Sequence, residues 1–182
     1  MELIVDTRQH DGKHERKHNQ LIERGYSLTF RKLDHGDYML PAGRVSIDTK
    51  ENLSEIWGNL RGSHKDKKTG KKIRNYPRFR AECIRAKDAG HVLVVLIENC
   101  YGIHGLYELS HWSEGEHSFK KRKHAKQKMN GESLAKQMMT MSKEYGVLWA
   151  FCHPSQTGNK IAECLTRESE LLALQKDVLD NE

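Results

Sequence analysis

The stretch that most limits what this chain can fold into is HVLVVLIE, residues 91–98. Between His91 and Glu98 every side chain is Val, Leu or Ile, so neither of the two alternating faces offers water a polar group. A short run of this kind reads as a central strand covered on both faces. The cover has to be helical, and the rest of the chain supplies it. Residues 2–6 (ELIVD) read as a first strand, 13–25 (KHERKHNQLIERG) as a helix ended by Gly25, and 26–32 as a second strand. In NLSEIWGNL, Leu53, Ile56, Trp57 and Leu60 fall at helical spacing, with Asn52 as the cap. Further helices are expected from about Pro77 to Lys87, over GESLAKQMMTMSKEYG to its closing glycine, and from about Ser155 to Leu174, with VLWAF as another buried strand. The pattern predicts an α/β fold with a mixed central sheet flanked by helices.

Charge is distributed unevenly. The chain of 182 residues carries a net +6, yet residues 61–80 alone hold nine Lys or Arg against Asp66, and residues 118–129 hold six with no acid. The remainder therefore sums to −8. Two such runs point to phosphate contacts, which gain affinity by releasing condensed counterions. The residues concerned are Arg61, Lys65, Lys67, Lys68, Lys71, Lys72, Arg74 and Arg78 in the first run and Lys120, Lys121, Arg122 and Lys123 in the second. The alternative is a pair of solvated loops. Both runs read as insertions, at about 61–76 and 110–130, in one domain spanning 1–182. Tyr76, Trp112 and Phe119 border them, either to stack on bases or to anchor the loops. No apolar run reaches membrane-spanning length and no secretory leader is apparent. The four cysteines form no C-x-x-C pair, and three of them sit in apolar-patterned elements, which suits buried thiols in a reducing, cytoplasmic setting.

Candidate chemistry lies in HGDYMLPAGRVSIDTKENLSEI, residues 35–56. Pro-Ala-Gly-Arg reads as the turn of a hairpin. With the turn centred between Ala42 and Gly43, Asp37 faces Asp48 across the pair, Lys50 shares their face, and Val45 and Ile47 point to the other. Two facing carboxylates repel, and either a hard divalent cation such as Mg²⁺ or Mn²⁺ or the Lys50 ammonium as a salt bridge would relieve the repulsion. His10, His14 and His18 recur at a spacing of four, which on a helix would make a metal face. Gly12 and the lack of a matching carboxylate favour a solvated helix instead. Met138, Met139 and Met141 read as core filling.

Gly-Asp, a gap and then acid-x-Lys resembles the nuclease core of the restriction-endonuclease-like superfamily. More closely, VDTR, GDYML, DTK and the helix that follows resemble the nuclease domain of the XPF and Hef structure-specific endonucleases, with VLVVLIE and YGVLWAFCHPSQTGNKIAECL at the places of that family's later strands and last helix. The resemblance implies a Mg²⁺- or Mn²⁺-dependent endonuclease acting on branched or structured DNA. It implies Asp37 and Asp48 as metal ligands, Lys50 as the lysine of the acid-x-Lys pair, Asp6 as the first-strand aspartate and Glu55 near the acid that follows. The family's E-R-K is D-T-K here, and Glu55 stands one residue late. Arg78 and Glu82, at i and i+4, match an arginine and a glutamine of the family, and also suit an ion pair. Arg8 of VDTR is a further candidate. Relatives dimerise through this domain, so a homodimer or a heterodimer with a related subunit is expected, with Ile161, Leu165, Leu171 and Leu172 offering an apolar surface. Two other readings stay open: a DNA-binding accessory protein on a nuclease scaffold, and a nuclease without structure preference.

Overall fold

The computed structural model describes residues 1–9, 12, 14–66, 68–113 and 129–180. In chain order its elements are β1 (Glu2–Val5), α1 (Glu15–Glu23), β2 (Ser27–Phe30), β3 (Tyr38–Met39), β4 (Val45–Lys50), α2 (Leu53–Arg61), β5 (Ser63–Lys65), β6 (Lys72–Arg74), α3 (Tyr76–Asp88), β7 (Val92–Glu98), α4 (Leu106–His111), α5 (Gly131–Tyr145), β8 (Leu148–Cys152), a short 3₁₀ turn at Pro154–Gln156, α6 (Thr157–Thr166) and α7 (Glu168–Asp180). No helix among these is long and apolar enough to cross a membrane.

Six strands make one mixed sheet in the order β2-β1-β3-β4-β7-β8, as the α/β pattern predicts. The short β3 runs antiparallel to both its neighbours, while the other pairs are parallel. The run that opened the sequence reading is β7, buried at every position. Its alternation feeds two cores: Leu93, Val95 and Ile97 pack with α2, α3 and α5, and Val92, Val94 and Leu96 pack with Leu21 of α1 and Ile161 of α6. The hairpin register is the predicted one, with Tyr38 opposite Ile47 and Met39 opposite Ser46. Val45 and Ile47 of β4 belong to the second core.

Several expectations are corrected. The last helix is two: α6 ends where Thr166 Oγ1 turns back to the carbonyls of Ala162 and Glu163, and Arg167 leaves helical geometry before α7 begins. Ile161 and Leu165 are buried in the chain's own core and Leu171 and Leu172 pack against it, so these side chains do not form the apolar surface expected of them. Met138 and Met141 fill the core but Met139 is exposed, because it faces outward on α5. Trp112 is a buried anchor, and Tyr76 packs against the same core. His14 immediately precedes α1 and its ring centroid lies 6.1 Å from that of His18, while His10 lies outside the described residues. The first basic run is a folded hairpin, β5–β6, whose turn is built by Asp66: Oδ1 accepts from the Lys68 and Thr69 amides and the Thr69 hydroxyl. Lys67 and Phe119, like Lys120, Lys121, Arg122 and Lys123, lie outside the described residues.

Gly36 is what lets the hairpin close on the site. Its φ is +68°, and a Cβ there would meet Ser46 Cβ at 3.0 Å and Ile47 O at 3.2 Å. Only glycine lets the chain cross this near to β4 before Asp37.

Candidate active site

Strand pairing sets three aspartates side by side. Asp6 follows β1, Asp37 precedes β3 and Asp48 sits in β4; the Asp6 amide bonds to Asp37 O at 2.8 Å and the Asp37 amide to Ile47 O at 2.6 Å. β1 and β4 end here, and α/β sheets bind ligands outside the carboxyl ends of their strands. A row of carboxylates at this spacing is stable only where each finds a donor, and each does.

Asp6 is taken by Arg8. Arg8 gives its backbone N–H to Oδ1 at 2.7 Å and grips both oxygens with its guanidinium, and Leu33 N–H reaches Oδ2 at 3.4 Å. Burial alone would raise the Asp6 carboxyl, but the Arg8 bonds and charge outweigh it and hold the group below its usual range. Asp6 is 1% exposed and does not line the cleft described below; it anchors Arg8, which does. Asp37 gives Oδ2 to Thr49, receiving its amide at 2.8 Å and its hydroxyl at 2.7 Å, and Oδ1 carries no hydrogen bond among the described residues. Asp48 is held by Lys50, with Nζ 2.8 Å from Oδ1 and 2.7 Å from Oδ2. The Oδ2 contact is short but misaligned for a hydrogen bond, so this buried oxygen is left without an aligned donor. Burial pushes Asp48 up to about 8 despite the Lys50 charge, while Asp48 and Asp37 outweigh burial at Lys50 and keep its ammonium protonated above the ordinary lysine range. The Lys50 ammonium also lies 5.7 Å from the Phe79 ring centroid.

Asp37, Asp48 and Lys50 open together into a cleft of about 560 Å³ that Glu55, Arg78, Glu82 and Arg8 also line. The expected residues thus converge, with Asp6 behind them. Their side-chain roles differ in part from expectation. Arg78 and Glu82 make no ion pair among the described residues, because Glu82 Oε1 accepts the Gly36 amide at 3.0 Å and so ties α3 to the hairpin. Glu55 closes the start of α2: its amide bonds Asn52 Oδ1 at 2.9 Å and its Oε2 accepts the Glu51 amide at 2.8 Å. His14 is a lining residue with no assigned role in the sequence; burial lowers it to about 4, so its imidazole is neutral at neutral pH. The role of Arg8 has a local signal in the sequence: Asp6-Thr7-Arg8 and Asp48-Thr49-Lys50 repeat the same Asp-Thr-cation tripeptide at the ends of β1 and β4, the two strands that flank β3.

No trio of His, Cys, Asp or Glu among the described residues converges to cage a metal. The donors present suit a cation that keeps its waters. Mg²⁺ is commonly bound through one or two carboxylates; among the described residues Asp37 Oδ1 accepts no hydrogen bond, and Asp48 Oδ2 beside it is buried without an aligned donor.

A second concavity, of about 870 Å³, lies between the β5–β6 hairpin and α5. Arg61, Lys72, Arg74 and Lys136 line it together with hydroxyl and amide groups, and no carboxylate is among its lining residues. Arg61 is preset by Ser133 Oγ at 2.5 Å and Gln137 Oε1 at 3.0 Å and stacks over Trp57.

Fold and cleft together define a mixed α/β domain with a carboxylate-and-lysine site at the mouth of a hairpin. Neither a family model nor a curated protein sequence matches the chain. Solved structures do: XPF from Aeropyrum pernix aligns over 93% of this chain and 65% of its own, at 16% identity and a TM-score of 0.57. The same protein in complex with DNA aligns over the same shares, at 15% identity and a TM-score of 0.58. The chain has an XPF-like fold, and it spans about 65% of the length of these structures.

Proposed function

We propose that this chain is a metal-dependent endonuclease that hydrolyses phosphodiester bonds in branched or otherwise structured DNA. The observation that carries the reading is the meeting of Asp37, Asp48 and Lys50 in one cleft of an XPF-like fold. That one matching structure is a complex with DNA supports the substrate class. Asp37 and Asp48 would hold Mg²⁺ or Mn²⁺, which when bound supplies a Lewis acid and a more acidic water. Lys50 stays protonated and has N–H donors to offer a non-bridging oxygen of the scissile phosphate, offsetting the charge that develops there. Arg8 and Arg78 line the same cleft and suit the neighbouring phosphates.

The basic hairpin fits the path of the nucleic acid. Lys65 stands directly opposite Lys72, with Arg74 two residues further on the same face. Facing like charges are unfavourable without an anion between them. α2 joins the two concavities, with Glu55 at the cleft and Arg61 at the groove. Six positions apart, they are separated by about 9 Å along the helix.

One observation favours the second reading, a DNA-binding protein without catalysis: Lys50 closes on both oxygens of Asp48, as a purely structural pair would. Labelled forks, flaps and linear duplex in Mg²⁺ separate the cases. The nuclease reading expects forks or flaps to be cut in preference to linear duplex. It also expects Asp48→Ala and Lys50→Ala each to lose about 10³-fold in rate while DNA binding persists. Binding without cleavage by the unaltered protein would establish the accessory reading. Equal cutting of linear duplex would establish a nuclease without structure preference.

A further inference from the structure

Lys17 lies on α1, on the face of the sheet opposite the Phe79 side where Lys50 sits, and is only 5% exposed. Lysine is rarely buried this far without a specific partner. Its ammonium stands 3.7 Å from Glu98 Oε1, at the end of β7, and donates to Thr49 Oγ1 at 3.2 Å. An ammonium has protons to give and no lone pair, so the Thr49 oxygen can only accept from it. The one hydroxyl proton of Thr49 is thereby directed to its other neighbour, Asp37 Oδ2 at 2.7 Å, which already receives the Thr49 amide. Glu98, 6% exposed and also approached by Arg16 at 3.6 Å, compensates the Lys17 charge.

We propose that Lys17 is a positioning residue: through Thr49 it fixes the Asp37 carboxylate with Oδ2 engaged and Oδ1 left to the cleft. Neutralising Glu98 would not by itself require a lysine, because a buried ion pair is often no more stabilising than an apolar pair of the same volume. What Lys17 adds is direction. It determines which way the Thr49 hydroxyl points, and so puts a second donor on the Asp37 oxygen that the Thr49 amide already engages. Groups that orient a metal's ligands commonly change metal affinity 10–100-fold when removed. The inference rests on reading Asp37 as a ligand.

Mn²⁺ titration of the full chain by electron paramagnetic resonance, with a thermal melt of every variant, tests it. Thr49→Val removes the hydroxyl and Thr49→Ser keeps it. The double variant Lys17→Met/Glu98→Gln removes the relay without leaving a buried charge alone. Thr49→Val and the double variant should each weaken Mn²⁺ binding by about 10–100-fold, and Thr49→Ser should stay within about threefold. Lower melting temperatures with unchanged Mn²⁺ affinity in those two variants would make the relay structural only and overturn the inference. Asp37→Ala is the control. If it binds Mn²⁺ as the unaltered protein does, the reading of the site falls and this inference with it. If Asp37→Ala loses binding while the relay variants keep it, this inference alone falls.

Discussion

β4 and β7 lie side by side, run parallel in register, and are buried at every position, yet they do opposite work. β7 presents Leu93, Val95 and Ile97 to the helices of one face, and β4 presents Ser46, Asp48 and Lys50 beside them. The apolar strand needs nothing beyond packing. The polar strand places a carboxylate and an ammonium where water hardly reaches, and each is tolerated because the other is there. Burial at β7 contributes stability, whereas burial at β4 holds charge in a fixed place.

The strongest break of this contrast is to write the β4 pattern into β7. Val95→Asp puts an unpaired carboxyl opposite Asp48 at a fully buried position. It should cost more than about 4 kcal/mol and leave no cooperative melt by circular dichroism. The reverse exchange sharpens the contrast. Asp48→Val/Lys50→Met makes β4 resemble β7, and should melt at the same temperature or higher, by up to about 4 kcal/mol, while losing cleavage. Its margin should also depend on pH. Burial raises the Asp48 carboxyl from 3.8 to about 8, so the folded protein binds more protons than the unfolded one between those values. In metal-free buffer the unaltered protein should therefore lose stability as the pH rises through that window, and the double variant's advantage should widen. The smallest effect is at the far end of the same face. Ser46 Oγ pairs with His35 Nδ1 at 3.0 Å, deep in the sheet. Ser46→Ala should cost about 1 kcal/mol in a denaturant titration and leave cleavage within about twofold.

What the sequence made legible is what local pattern controls. The apolar run of β7, the Asn52 cap and the hairpin register that sets Tyr38 opposite Ile47 and so brings Asp37 near Asp48 all follow from spacing within a few residues. The partners that hold the site do not. Lys17 meets Thr49 across 32 positions and Glu82 meets Gly36 across 46, contacts decided by how helices settle on the sheet. The Arg78–Glu82 pair had the right spacing, but Gly36 took the glutamate. The basic run concealed a hairpin because its one acid, Asp66, reads as a stray charge until its side chain is seen tying the turn. The break at Arg167 had no Gly or Pro to announce it.

The bridge between Ser113 and Asn130 separates the sheet's helical cover from the chain that runs between them. Gly131 reinforces it: its amide bonds Trp112 O at 3.1 Å, and a Cβ there would overlap the carbonyls of Leu109 and Trp112, so α4 and α5 are clasped. Ser113 and Asn130 therefore stand side by side as the two posts of one fastened doorway. With Ser113 and Asn130 fastened to each other, the number and charge of the residues between them can change while α4 and α5 stay clasped and the sheet and cleft are left as they are.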